Sequence, residues 1–374
     1  MSIKSNLKTV IVFPLRSEAE ISGEKSSVEF FKKLLSGSEF KMSNGNNRAS
    51  FQWTWLENIR RLLDLYHCPV PKDGGVLIVK IPTPSQLPLA YYLTRKARGR
   101  VIFWIDGLNW ELNSWCMTFS LLISEPALIF FRMIFNNSIW VRLVRKKHLE
   151  LIVSSKVQKD KLNQLDLPLS RIHIVPNGTS MLYDCKFNVE NLAEKKEANK
   201  GLRIGYIGHS YKTKGVEDLL SALYKVKKER LLFSAHFAFS TLGHKNIQNR
   251  AKNDGYFISG KVNKEHFYRN IDLLVFPYWT DWGTNVYPNV LLESLEFGVP
   301  VITTDLPIMR ELFGCNGMAI FVPPRNSNVL AETLLQIMYG EIKLPESNDL
   351  KEYFKSRYSQ DLSKNIWLSI LSGG

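Results

Sequence analysis

The segment Ile271-Asp-Leu-Leu-Val-Phe-Pro277, followed by Pro288-Asn-Val-Leu-Leu-Glu293-Ser-Leu-Glu-Phe-Gly298-Val-Pro300-Val-Ile-Thr-Thr304, leaves few folds open to this chain. It reads as strand, loop, short helix and strand. Pro288 suits the first helical position, where a missing N–H costs nothing. Gly298 followed by Pro300 is a helix stop, and Val299 to Thr304 is a β-rich run. A helix entered from the C-terminal end of a parallel strand points free N–H groups into a crevice where anions bind. Glu293, on its second turn, is placed to accept hydrogen bonds from vicinal hydroxyls such as those of a ribose, and Asn289, on its first, joins the same candidate set. The chemistry suggested is nucleotide-diphosphate binding with hydroxyl recognition.

The rest of the chain repeats this alternation, which predicts an α/β protein with parallel sheets. Strands are expected at Thr9–Phe13, Val76–Ile81, Val101–Ile105, Leu149–Ser154 and Ile172–Val175. Helices are expected at Ser26–Leu35, Trp55–Tyr66 and Leu87–Ala97, with a turn at Pro176-Asn177-Gly178. The polar, charged run from Asn188 to Gly201 is the linker candidate. A second series has strands at Leu202–Ile207, Leu232–Ala238, Tyr256–Ile258, Leu273–Phe276, Val299–Thr303 and Ala319–Val322. Its helices are Gly215–Lys227, Lys264–Asn270, Pro288–Phe297 and Ser327–Met338, and the tail Leu350–Leu371 reads as helical. The expected architecture is two Rossmann-like domains facing a cleft: residues 1–187, a linker at 188–201, residues 202–345, and a C-terminal helical stretch at 346–374 returning towards the first domain. A chain of 374 residues suits two domains.

The formal net charge of +14 calls for an anionic partner. No nucleic-acid-binding motif is present, so nucleic acid is set aside in favour of an anionic membrane surface. Residues 117–148 are rich in aromatic bulk and end in Arg145-Lys-Lys-His148. Glu125, Pro126 and Arg132 interrupt them, so no run of about 18 uncharged apolar residues exists to span a bilayer. A helix lying in the headgroup plane is expected instead. Cys68, Cys116, Cys185 and Cys315 are far apart, which suits a reducing compartment and argues against a structural zinc site. Met1-Ser-Ile-Lys-Ser-Asn lacks an apolar signal core, so a cytoplasmic location is expected, peripheral on the membrane's inner face.

A second informative stretch is Leu202-Arg-Ile-Gly-Tyr-Ile-Gly208-His209-Ser-Tyr-Lys212-Thr-Lys214-Gly215. A strand ends at Gly208, and Lys214-Gly215 opens a helix. A lysine at a helix start opposes the macrodipole, and a bound diphosphate offsets that cost. Gly23, after the first strand, is a weaker phosphate-loop candidate. Asp106 or Asn109, after the Val101–Ile105 strand, would touch an acceptor hydroxyl or the transferred group, unless Asp106-Gly107 is only a turn. Asp281-Trp-Gly-Thr284-Asn285 precedes the Glu293 helix. There is no Walker A loop, no His-Glu-x-x-His and no Gly-x-Ser-x-Gly elbow, and no Asp-x-Asp follows a strand. A metal-bridged diphosphate is therefore not indicated, and leaving-group charge falls to Lys214, other bases and the helix dipole.

These residues resemble the GT-B glycosyltransferases, specifically the retaining family 4, or group 1, enzymes. The resemblance is strongest over residues 202–340. The family phrase Glu-Gly-Phe-Pro-Asn-Val-Leu-Leu-Glu-Ala-Met-Ala-x-Gly-x-Pro-Val aligns in register with Asn285-Val-Tyr-Pro-Asn-Val-Leu-Leu-Glu293-Ser-Leu-Glu-Phe-Gly-Val-Pro-Val. A Gly-Arg … Lys-Gly phrase is matched by Gly208-His209 and Lys214-Gly215. Ser154-Ser155, Val175-Pro-Asn-Gly178, the Gly23 loop and Asp305-Leu-Pro-Ile-Met-Arg-Glu311 match further. The resemblance implies that Glu293 binds a nucleotide-sugar ribose, that Lys214 and His209 grip the diphosphate, that Asn285 faces the sugar, and that Asp106 lines the acceptor side.

Two positions depart from the family. Asn285 replaces the first motif glutamate and hydrogen-bonds a sugar hydroxyl without charge, leaving Asp281 as a second candidate. His209 replaces the motif arginine, so the diphosphate grip weakens as pH rises. The resemblance implies metal-independent, retaining transfer of a sugar from a nucleotide-diphosphate donor, with no further cofactor, to a lipid-linked or polysaccharide acceptor. The alternative is a catalytically impaired sugar-nucleotide-binding partner subunit of the same fold. An epimerase or phosphorylase of this fold is a third reading, but no pyridoxal-lysine context is seen.

Overall fold

The computed structural model describes the backbone of strands 9–13 and 39–42, and residues 76–81, 87–95, 99–105, 142, 145, 149–164, 169–176, 201–280 and 286–372. The expected helices at 26–35 and 55–66, the linker before Gly201, and residues 117–148 apart from Arg142 and Arg145 lie outside the described residues. The chain divides into two compact units. One comprises Met1–Asn177, Trp282–Val286 and Ser363–Gly374, the other Gly178–Asp281 and Tyr287–Leu362.

The first unit holds a parallel sheet of β1 (Thr9–Phe13), β2 (Glu39–Met42), β3 (Val76–Ile81), β4 (Arg100–Ile105), β5 (Leu149–Val153) and β6 (Ile172–Ile174), in the order β2-β1-β3-β4-β5-β6. Val76–Val79, Ile102–Ile105 and Leu151–Val153 are buried, which is why these strands read as unbroken apolar runs. Helices α1 (Leu87–Thr94) and α2 (Lys156–Asn163) flank them. Ser155 caps α2 by accepting from the Gln158 amide at 3.0 Å.

The C-terminal helix α10 (Gln360–Ser372) is integral to this unit from Ser363 onwards. Arg100 forms a two-pronged pair with Glu150 and donates to the Ile370 carbonyl at 2.7 Å. Ser363 donates to the Pro176 carbonyl at 2.8 Å. The Trp367 ring meets that of Trp104 edge-on at 5.6 Å.

The second unit contains β7 (Leu202–Ser210), α3 (Val216–Lys228), β8 (Phe233–Gly243), α4 (Lys245–Asn253), β9 (Phe257–Ser259), α5 (Lys264–Arg269), β10 (Leu273–Phe276), α6 (Asn289–Phe297), β11 (Val301–Thr304), α7 (Pro307–Phe313), β12 (Ile320–Val322), α8 (Ser327–Met338) and α9 (Ser347–Tyr358). Its strands are parallel, in the order β12-β11-β10-β7-β8-β9. The first strand therefore sits centrally, and the order reverses between β7 and β10, which makes that junction the topological switch point. Helix α3 shows how the sequence builds the layer on this sheet. Val216, Leu219, Leu220, Leu223 and Val226 form one buried face. Glu217 and Asp218 occupy its first turn and Lys225, Lys227 and Lys228 its last, matching the macrodipole.

Some boundaries differ from expectation. Strand β8 continues to Gly243 rather than ending at Ala238. Pro288 caps α6 rather than occupying its first turn. Helices α2, α4 and α7 were not anticipated. Only Ile247 and Ala251 of α4 are buried, too thin an apolar stripe to announce a helix.

Candidate functional site

The C-terminal ends of β7 and β10 lie side by side, and the segments leaving them carry the candidate residues. Tyr206 is buried in β7, stacked on Phe276 at 5.6 Å, and its hydroxyl donates to the His209 carbonyl at 2.7 Å. The β7–β8 register shifts between Gly208 and Ser210, so the half-buried His209 leaves the regular ladder.

A single 3₁₀ turn, Lys212–Lys214, follows and closes on Gly215. Gly215 has φ of 69°, and a β-carbon there would fall 1.7 Å from the Pro277 carbonyl oxygen. Only glycine allows this approach. It brings the turn against the end of β10, where the buried Lys214 places its ammonium 4.2 Å from the centroid of the Tyr278 ring. The neighbouring Trp279 straps the same turn. Its amide donates to the Thr213 carbonyl at 3.0 Å, its indole N–H donates to Asp218, and the Arg325 guanidinium lies 4.7 Å over its ring. Burial pushes the Asp218 carboxyl upwards, against the Trp279 hydrogen bond and the Arg325 charge. Thr303 and Thr304 donate to the Phe276 and Tyr278 carbonyls at 2.9 and 2.7 Å, fixing the strand end.

Helix α6 leaves the other side of the switch point without a side-chain cap at its N-terminus. Asn289, half-buried, is its first residue. Gly298 ends it at φ of 68°, where a β-carbon would fall 2.1 Å from the Ser347 hydroxyl of α9. Glu293 points inward and is only 2% exposed. Lys264 forms an ion pair with its Oε1, and the Tyr268 hydroxyl lies 2.9 Å from its Oε2. Burial, with the Glu293 charge beside it, raises the Tyr268 hydroxyl well above its ordinary pKa, so it stays a donor.

Thus Gly208, His209 and Lys214 follow β7, while Asn289 and Glu293 follow β10. Together they offer a cation on an aromatic face and a buried carboxylate on either side of one switch point. A diphosphate is complementary to the first and paired hydroxyls to the second. Gly23, Asp106, Asn109, Asp281 and Asn285 lie outside the described residues. Reading the sequence missed Lys264, Tyr268 and Tyr278. Lys264 and Tyr268 lie four apart on α5, hence on one face, which is the only local sign that they act together. Among the described residues there is no cluster of His, Cys, Asp and Glu that could hold a metal ion. Among them, too, no helix is long and apolar enough to cross a membrane.

Comparison with known proteins gives this geometry a context. Residues 201–339 match the family described as Glycosyl transferases group 1. The chain is 27% identical over 238 residues to a protein of Bacillus subtilis (strain 168) named as a teichuronic acid biosynthesis glycosyltransferase, TuaC. That match covers 60% of this chain and 55% of TuaC, so the chain spans about half the length of the curated relative. Among solved structures, a glycosyltransferase from Rickettsia africae superposes with a TM-score of 0.68 at 15% identity, covering 99% of both chains. Anabaena HepE, solved in complex with UDP-glucose, gives 0.68 at 11% identity, covering 97% of this chain and 99% of its own.

Proposed function

Since residues 201–339 match the group 1 glycosyltransferases and the chain shares the fold of solved glycosyltransferases, we propose that it transfers a sugar from a nucleoside diphosphate to a lipid-linked or polysaccharide acceptor. The observation that carries this reading is the pairing at the β7/β10 switch point: Lys214 held on Tyr278, and Glu293 held by Lys264 and Tyr268. In this reading Lys214 and His209 take the diphosphate beside Gly208, Glu293 takes the ribose and Asn289 lies beside the nucleotide. Asn285 meets the sugar, the Gly23 loop adds a phosphate contact, and Asp106 lines the acceptor side. TuaC, named for teichuronic acid biosynthesis, supports a glycan acceptor, and HepE, solved with UDP-glucose, supports a nucleotide-sugar donor.

The reaction is read as retaining and metal-independent. The bond between the anomeric carbon and the diphosphate oxygen breaks, and the acceptor oxygen bonds to that carbon on the same face. The acceptor's proton passes to the departing phosphate oxygen. The protein then contributes positioning and charge stabilisation rather than a covalent step.

Incubating the purified protein with UDP-glucose and other nucleotide sugars, with lipid-linked acceptors, tests the reading. Nucleoside diphosphate release and glycosylated product are expected, and both should be lost in Lys214→Ala. Asn285 and His209, which replace a motif glutamate and arginine, favour one alternative, a sugar-nucleotide-binding partner subunit. Tight binding without any transfer would decide for it. Peripheral contact with the anionic inner face of the membrane belongs to the same proposal, on the strength of the +14 charge. Binding to phosphatidylglycerol vesicles should then fall with added salt.

A further inference from the structure

Glu293 is buried more completely than a carboxylate tolerates without partners. Leaving a buried carboxylate without hydrogen-bond partners is costly. Two side chains of α5 supply them. Lys264 pairs with Oε1, and the Tyr268 hydroxyl reaches Oε2 at 2.9 Å. Both donors are themselves held. Asn263 caps α5 by accepting from the His266 amide at 3.0 Å, which fixes Lys264 at the first helical position. The Tyr268 ring stacks on Phe297 of α6 at 5.2 Å, and its single O–H is shared between Oε2 and the Val290 carbonyl, each at 2.9 Å.

A carboxylate oxygen has two acceptor directions. Lys264 fills one on Oε1, and Tyr268 fills one on Oε2. Among the described residues no other side chain donates to either oxygen, so each keeps acceptor capacity for one O–H of a cis-diol. Other charged groups nearby are Glu296, one turn along α6, and Lys351 of α9, at the Gly298 end. On α5, Glu265 pairs with Arg269, and His266 contacts Asn270.

We propose that Lys264 and Tyr268 are positioning residues that set the Glu293 carboxylate to read both ribose hydroxyls, so that selection of ribonucleotides depends on this α5 clamp. The inference rests on the ribose role proposed for Glu293. Without Lys264, Oε1 loses the partner that fixes it, and the carboxylate no longer presents both oxygens to the two hydroxyls.

The test is isothermal titration of the full-length protein with UDP, GDP and ADP, and with their 2′,3′-dideoxy forms, from about pH 5.5 to 9. The wild type should prefer the ribose form of its nucleotide by at least about tenfold across this range, as expected for charge-assisted hydrogen bonds. In Lys264→Met the preference should collapse to within about threefold. Lys264→Arg should keep it, and Tyr268→Phe should lower it at every pH. If Lys264→Met does not fold, Lys264→Gln and Tyr268→Phe carry the same reading. A folded variant that keeps the wild-type ratio at all pH values overturns the inference while leaving the proposed function intact. If none of the three nucleotides binds the wild type, the proposed function fails first and the inference with it.

Discussion

Gly215 meets the carbonyl of Pro277 so closely that a β-carbon would fall 1.7 Å from its oxygen. The turn bearing Lys214 and the strand end bearing Tyr278 therefore meet backbone to backbone at this point, beneath the Lys214 contact with the Tyr278 ring. Gly215→Ala should force them apart. The left-handed backbone and the clash together should lower unfolding free energy by about 2–4 kcal/mol, read from urea melts. UDP binding should weaken alongside, because Lys214 moves with the turn.

Lys214 is the group expected to recognise phosphate charge. Lys214→Met should weaken UDP binding by about 1.5–3 kcal/mol while leaving uridine binding nearly unchanged. The salt dependence of UDP affinity should flatten too. Titration calorimetry at two ionic strengths reads both. Equal losses for UDP and uridine would remove the diphosphate role from this residue.

Glu150 links stability to acid. Burial pushes its carboxyl up, but hydrogen bonds and charge from Arg100 and His173 prevail and hold it at about 2 rather than 4.5. A depressed folded-state value stabilises the native state above the unfolded pKa and is lost as pH falls through the folded one. Between about pH 4.5 and pH 2 the wild type should therefore lose stability more steeply than Glu150→Gln. Urea midpoints measured across that window are the check. Parallel slopes would mean that the pair contributes nothing.

Trp367 is 1% exposed and edge-on to Trp104. Trp367→Ala should cost about 3–5 kcal/mol, as expected for an emptied aromatic site. Limited proteolysis should show the loss first in the β3–β6 sheet, where Arg100 and Trp104 lie. Fragments arising first from residues 202–358 would contradict the packing described here.

The β10–α6–β11 segment was legible because each cue was local: an apolar run, a proline at the helix start, a glycine at its end. Lys214-Gly215 was legible for the same reason, as a basic dipeptide between strand and helix. The partner of Glu293 was not, because Lys264 stands 29 residues away and pairs with it only once α5 and α6 pack together. Tyr278 beneath Lys214 escaped likewise, as a residue that reads as strand end until the chain folds. Helix α4 is polar almost all round, so tertiary contact rather than periodicity holds it in place. The end of β8 was misjudged because its last residues, Ser240-Thr-Leu-Gly243, carry no continuous apolar pattern.

The helix carrying Trp367 is made after both sheets, yet it packs on strands made among the first hundred or so residues. Domains usually fold as they leave the ribosome, the N-terminal one first. Here the earlier unit must wait, holding an open seat for Trp367 and Ile370, while the later one can close its own sheet. A ribosome stalled near residue 360 would leave the first unit without Trp367 and Ile370, so that unit can mature only after the sheet that follows it in sequence has been made.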